Sequence, residues 1–417
     1  MTQVFGMGRQ SFGVWLLAVA QTLTYAGVYY AFAALLPDLI LATGWSVADL
    51  AFGPTISFLV MAGMLPLTGR RLDHGHGAAM MLGGPVLGAA SLLWLSQVGA
   101  LWQWNLGWAL IGLAMSGSVY ETCFAQLTRV LDGPEAGQKR AFQHGALTAR
   151  GAIIRVTLVA GFASSLAFPL GHWWGAALGG QMALAAFAGV VALAVPVSAL
   201  GLNLLGDARK GAQHPAPMKG ALGAALGHRA FWVLTAVFTA IWASHGILMT
   251  YILVLFADRG AGAGMAAFAA SCVGPAQVFG RLMLMAGGAR VSNRVATFLS
   301  LGSLALGGLV LIAAGAAPPL IFAFATLQGM GAGLLSILRP VLVADLLGRQ
   351  GFGAVSSAIS VGPVLANAAA PALGALLLGT GGADAVYAAC LVLVVFAFFL
   401  ALVMIRPPVL PQPEYPE

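Results

Sequence analysis

The chain has 417 residues, of which 60% are hydrophobic and only 7% charged, and its formal net charge is +7. A water-soluble domain carries about 25% charged residues, so this composition excludes a soluble globular protein and leaves an integral membrane protein. The three cysteines, Cys123, Cys272 and Cys390, fall inside apolar runs, which excludes a disulfide framework or a cysteine-based metal site.

A membrane-crossing helix needs roughly 20 apolar residues. In chain order, the apolar runs between polar or Gly/Pro breaks predict twelve spans, at about 12–37, 47–68, 77–98, 103–130, 140–169, 174–203, 229–257, 264–287, 295–314, 318–347, 353–379 and 385–405. The runs do not alternate apolar with polar residues, as the strands of a membrane barrel do. The expected fold is therefore an all-α integral membrane protein with 12 transmembrane helices in two six-helix halves. Met1 to Gln10 is short and polar and the run after it is long enough to span, so no cleaved leader is expected. The longest polar interruption, GDARKGAQHPAPMKG from Gly206 to Gly220, separates the sixth run from the seventh. This divides the chain into an N-terminal bundle at 1–203, a central loop at 204–228, a C-terminal bundle at 229–405 and a Pro-rich tail at 406–417 that is expected to be disordered. The halves echo each other. GLAMSG (Gly112–Gly117) in the fourth run and GMGAG (Gly329–Gly333) in the tenth both place small residues where helix backbones can approach closely.

Lysine and arginine set the orientation. With the N-terminus inside, fourteen of them fall on cytoplasmic segments, among them Arg70, Arg71, Lys139, Arg140, Arg209 and Lys210, and Arg259 alone falls opposite. Both termini are expected in the cytoplasm of a cell membrane, and the Ala- and Gly-rich composition points to a bacterial inner membrane. This topology accounts for the positive charge without nucleic acid.

Charged groups within a span face a cavity or a partner. In the first span Gln21, Tyr25 and Tyr29 share one helix face at a spacing of four. They are placed to offer hydrogen bonds to an anion, while Tyr30 is expected to point elsewhere; the structural alternative is a tyrosine stripe used for packing. Glu121 and Arg150 each lie about ten residues, or about 15 Å, from the turn between the fourth and fifth spans. They are expected to pair, either as a fixed clamp or as a switchable contact. Arg155, Arg281 and Arg339 then have no obvious acid. Three cations facing one another without anions are expensive, and an anionic ligand would relieve them. A guanidinium holds a carboxylate or phosphate bidentately, fixing orientation as well as charge. The structural alternative is hydrogen bonding to backbone carbonyls at Gly- and Pro-rich breaks, such as the one near Pro340. His245, mid-span in ASHGILMTY, is either a proton carrier or a satisfied core histidine. Asp345, near the end of the tenth run, is expected to be solvated or capping.

Several stretches resemble one family. Gly69-Arg70-Arg71-Leu72-Asp73-His74-Gly75-His76 is similar to the loop motif of the major facilitator superfamily: a glycine, three residues, an aspartate, then a basic residue. Gly69 and Asp73 match, and His74 stands where arginine is usual. The second-half copy, Gly288 to Arg294, has no aspartate. Gly44-Trp45-Ser46, Lys139-Arg140 with Gly151, and Asp345-Leu346-Leu347-Gly348 with Gly351-Phe352-Gly353 resemble the monocarboxylate and oxalate/formate branch. The resemblance implies a major facilitator fold, alternating access and a structural role for Asp73 at the cytoplasmic helix ends. It also implies that Arg281, which matches the eighth-span arginine of that branch, binds a carboxylate. Gln277 stands one turn earlier, where some members carry an aspartate. The lysine of the oxalate relatives in span eleven is missing, which points away from oxalate.

The expected function is secondary active transport of a small, monocarboxylate-like organic anion with proton coupling. Arg281, Arg339, Arg155, Tyr25, Tyr29 and Gln277 form the expected substrate set, and His245, Glu121 and Arg150 the proton-coupling or gating set. Gly69 and Asp73 belong to the loop motif. A drug exporter would want unpaired membrane acids and a glycine-proline motif in the fifth span; a non-transporting sensor or scaffold would want larger loops. No enzyme, cofactor or metal is expected. Ala114-Met115-Ser116-Gly117 has alanine where a similar intramembrane serine-protease motif has glycine, His74 and His76 have no clustered partners, and no phosphate-binding loop with its lysine occurs. The expected partners are the anion, a proton and the lipid bilayer, and the chain is expected to be a monomer.

Overall fold

The computed structural model describes residues 8–131, 147, 149–206, 221–287, 291–348 and 352–404, and every regular element among them is an α-helix. The first group is α1 (Arg9–Val28), α2 (Ala31–Thr43), α3 (Val47–Asp73), α4 (Gly77–Leu95), α5 (Leu101–Ser118), α6 (Tyr120–Leu131), α7 (Ala149–Ala160), α8 (Ala163–Leu178) and α9 (Gly180–Leu205). A short α10 (Ala221–Leu226) precedes the second group: α11 (Arg229–Thr250), α12 (Ile252–Asp258), α13 (Ala263–Ser271), α14 (Val273–Gly287), α15 (Asn293–Ala313), α16 (Leu320–Leu347) and α17 (Phe352–Met404).

Ten stretches of the described residues are long and apolar enough to cross a membrane, and the chain is an all-helical, multi-pass membrane protein. Two features separate this count from the twelve predicted spans. The fourth run is divided at Val119, whose extended backbone (ψ −170°) ends the 18-residue α5. The eleventh and twelfth runs are merged in the 53-residue α17, whose non-helical residue is Gly382 at φ 65°. That left-handed φ is open to glycine at little steric cost.

Five predicted runs are split partway, at Tyr29–Tyr30, Val119, Gly161–Phe162, Tyr251 and Cys272. A helix break frees backbone groups that lipid cannot hydrate, so neighbouring side chains must satisfy them. Gln21 Nε2 donates to Ser118 O at 2.8 Å, Thr22 Oγ1 to Val159 O at 3.1 Å, and Ser165 Oγ to Ser271 O at 2.8 Å. Tyr251, fully buried, donates its hydroxyl to Pro371 O, and its ring lies directly over Gly374. Tyr251→Phe should therefore lower stability by about 0.5–1.5 kcal/mol, read as a lower unfolding temperature in detergent. An unchanged temperature would mean that the hydroxyl bond adds nothing.

Most helix contacts fall within two sets. In the first, α1 packs on α9, and α5 packs on α3 and α4; in the second, α11 packs on α17, and α16 packs on α14 and α15. The sets meet through α2 with α12, α8 with α13 and α3 with α17. Arg9, Arg71, Arg129, Arg229 and Arg294 mark one end of the molecule, and α2, α8, α12 and α13 all lie on the far side of their breaks from that basic end. The two sets thus close on each other at the end opposite the basic turns. Glycines permit the closest approaches within each set. Gly112 of α5 lies against the backbone of Ser57 in α3, and Gly333 of α16 against the backbone of Gln277 in α14; a Cβ at either position would overlap main-chain atoms.

Polar clusters finish the ends. Away from the basic turns, Arg259 pairs with Asp258 at 3.0 Å and Asp384 at 2.9 Å and lies over the Tyr387 ring at 4.2 Å, tying the end of α12 to α17. At the basic end the exposed Asp345 accepts from Asn293 Nδ2 at 2.8 Å beside the start of α15. Exposed tryptophans flank the apolar belt, with Trp102 and Trp173 at one end and Trp232 at the other.

Candidate functional site

Tyr29 sits at the break between α1 and α2, and the change of backbone direction there decides where the tyrosines go. Tyr29 and Tyr30 both line a cavity between the two helix sets, together with Phe32, Pro54, Ser57, Phe58, Trp108, Gly246, Met249, Thr250, Asn367 and Pro371. This corrects the expectation that Tyr30 points elsewhere, which assumed one unbroken helix. The free volume of the cavity is ≈ 30 Å³, room for water but not for an organic solute. The rings run on toward the basic end. Tyr25 lies 5.7 Å from Tyr29 and 4.5 Å from Tyr120, and Tyr120 stacks on Phe124 at 5.1 Å. The Tyr25 hydroxyl also accepts from the backbone N–H of Tyr120 at 3.5 Å.

Arg281 of α14 reaches across both sets. Its Nη1 donates to Thr157 O of α7 at 3.0 Å, its Nη2 to Ser336 Oγ of α16 at 3.2 Å, and its Nε to Gly333 O at 3.4 Å. The hydroxyls of Tyr30 and Tyr120 lie within its electrostatic reach. Its hydrogen-bond acceptors are thus neutral oxygens, and no carboxylate among the described residues pairs with it. The carbonyl bonds are those of the structural alternative; they orient the guanidinium without cancelling its charge. Arg281 keeps that charge in any protein environment.

The other expected substrate residues distribute unevenly around it. Gln277 is half-buried one turn earlier on α14. Arg339 is half-buried and engaged on α16, one turn beyond Ser336. Arg155 is turned away: its Nη1 donates to Ser11 Oγ at 2.7 Å and its guanidinium lies 5.7 Å from the Trp15 ring of α1. This corrects the picture of three arginines facing one another. Arg155 lies two residues before Thr157, and the roughly 200° between such positions on a helix sends the two toward different neighbours.

His245 is buried in α11 and faces Gln328 of α16, whose Nε2 lies 3.1 Å from the imidazole Nδ1; the ring meets Trp242 edge-on at 5.4 Å. Gln21 is held by Ser118 O, and its Oε1 is buried without a donor among the described residues. Gly69 lies in α3 with open space beside it. The side chains of Asp73, Glu121 and Arg150 lie outside the described residues, and with them the expected Glu121–Arg150 pair.

The structure adds Thr157, Ser336, Asn367, Phe58 and Trp108 to the neighbourhood. Asn367, an amide inside an apolar run, is visible in the sequence as a polar exception, and it lines the cavity with Tyr29. Thr157 and Gly333 act through backbone carbonyls, which carry no side-chain signal. Asp38, half-buried in α2 against Gly175 and Gly180, is a further membrane acid hidden by a span boundary drawn at residue 37.

No protein-family model matches the sequence, and no curated protein matches it. Solved structures do match the fold. A mutant form of the nucleoside transporter NupG superposes with a TM-score of 0.70 at 12% identity, covering 95% of this chain and 99% of that one. A second NupG structure gives 0.68 at 14%, covering 96% and 98%. A mutant form of the peptide transporter POT gives 0.69 at 15%, covering 96% and 94%. Identities this low speak to architecture alone. The chain therefore shares the fold of the major facilitator transporters.

Proposed function

We propose that the chain is a secondary transporter of a small organic anion, akin to the monocarboxylate and oxalate/formate branch, working by alternating access. In this reading there are twelve crossings in two six-helix halves, residues 1–203 and 229–405. α5 with α6 supplies the fourth crossing. α17 supplies two, divided at Gly382, each long enough for a hydrocarbon core of about 30 Å. The loop at 204–228 and the tail at 406–417 lie with the basic end in the cytoplasm. The halves touch at the opposite end, which is the arrangement of a carrier closed to the outside.

One observation carries the choice of an anion. Arg281 lies between the halves, and among the described residues its charge is met by neutral acceptors. A carboxylate can replace those acceptors with a charge-assisted, bidentate contact. Tyr25, Tyr29, Gln277 and Arg339 lie on the elements around it and complete the substrate set; Arg155 acts from farther off. His245, or the Glu121–Arg150 pair, serves as the proton-sensitive element.

Uptake of labelled lactate, pyruvate, benzoate, succinate and citrate into proteoliposomes, with and without an inward proton gradient, tests the reading. Gradient-driven uptake of a carboxylate, with the gradient effect lost in His245→Gln or in Glu121→Gln, is the expected result. Uptake of nucleosides or peptides in place of any carboxylate would overturn it.

A further inference from the structure

The cavity at Tyr29 and Tyr30 constrains the body of the substrate as Arg281 constrains its charge. Resting on the organic-anion reading, we propose that the substrate is a flat aromatic monocarboxylate, its ring among Tyr29, Phe58 and Trp108 and its carboxylate toward Tyr30 and Arg281.

The walls are rings already arranged for this. Tyr29 meets Phe58 at 5.5 Å and 70°, Tyr29 meets Tyr30 at 4.9 Å and 65°, and Phe32 meets Trp108 at 5.6 Å and 89°. A further ring can enter such a set edge-to-face or offset, the geometries that ring quadrupoles favour. A flat body also asks for the least widening of a cavity whose free volume is ≈ 30 Å³.

Two hydroxyls of the wall already donate to the main chain. Ser57 Oγ donates to Pro54 O at 2.8 Å and Thr250 Oγ1 to Gly246 O at 2.8 Å. Two donors remain unused. The Trp108 indole N–H is buried without an acceptor among the described residues, although Trp108 is only 1% exposed and lines the cavity. The Tyr30 hydroxyl has no hydrogen-bond partner among the described residues. The cavity therefore suits a ligand that brings acceptor atoms. A second carboxylate would not meet Arg155, which is turned to Ser11 and Trp15.

Isothermal titration of the purified full-length chain in detergent with benzoate, cyclohexanecarboxylate, lactate and benzamide separates the possibilities. Benzoate should bind at least about tenfold more tightly than cyclohexanecarboxylate or lactate. Tyr30→Phe should weaken benzoate about fivefold while leaving the unfolding temperature unchanged. Lactate or cyclohexanecarboxylate binding as tightly as benzoate, or no benzoate binding to folded protein, would overturn the aromatic class and leave the organic-anion reading standing. An unchanged benzoate Kd in Tyr30→Phe would overturn the placement of the carboxylate. Benzamide binding as tightly as benzoate, equally in Arg281→Gln, would overturn the organic-anion reading itself.

Discussion

Arg281→Gln should lower carboxylate uptake at least about thirtyfold and leave the protein folded. Removing one partner of a desolvated charge pair costs roughly 2–5 kcal/mol, which is about 30-fold to several thousandfold. The glutamine amide ends about where the arginine Nε lies, so the donation to Gly333 O is the contact it can keep. Arg281→Lys keeps the charge but loses the planar fork, and should recover only part of the loss. Initial uptake rates in proteoliposomes, beside unfolding temperatures in detergent, distinguish loss of the site from loss of the fold. Undiminished uptake in the glutamine variant would remove Arg281 from the substrate site.

Gly333→Ala should have the second largest effect, and it acts on stability and transport together. A methyl group there would overlap the backbone of Gln277 in α14. Forcing a close-packed contact apart costs roughly 1–3 kcal/mol. It also moves the carbonyl of Gly333, which accepts from Arg281 Nε. Gly63→Ala is the matched control, because a Cβ at Gly63 meets open space. The glycine-to-alanine change at Gly333 should lower both the unfolding temperature and the uptake rate, and the control should lower neither. Equal behaviour of the two variants would mean that α14 and α16 can separate without cost.

The apolar runs were legible because membrane helices announce themselves by composition over roughly 20 residues. Their interruptions were not. Tyr29 and Tyr30 read as one continuous helix in sequence, and a single break between α1 and α2 brought Tyr30 beside Tyr29. Arg281 stood out because a charge inside an apolar run demands an explanation. Arg155 stood out for the same reason, but its partners, Ser11 and Trp15 of α1, are long-range neighbours that spacing cannot reveal. The acceptors of Arg281 were hidden for a different reason. Thr157 O and Gly333 O belong to the main chain, and every residue has a carbonyl.

The reach of Arg281 across two bodies has a kinetic consequence under the proposed function. One of its N–H groups fastens to α7 in the first set and the others to α16 in the second. A carboxylate that docks on this fork must compete with Thr157 O for it. Loading and loosening are then a single exchange of partners: the empty protein is stitched across its seam, and the cargo itself cuts the stitch. A carrier of this kind brakes its own return when unloaded, so anion-for-anion exchange should run faster than net flux in one direction.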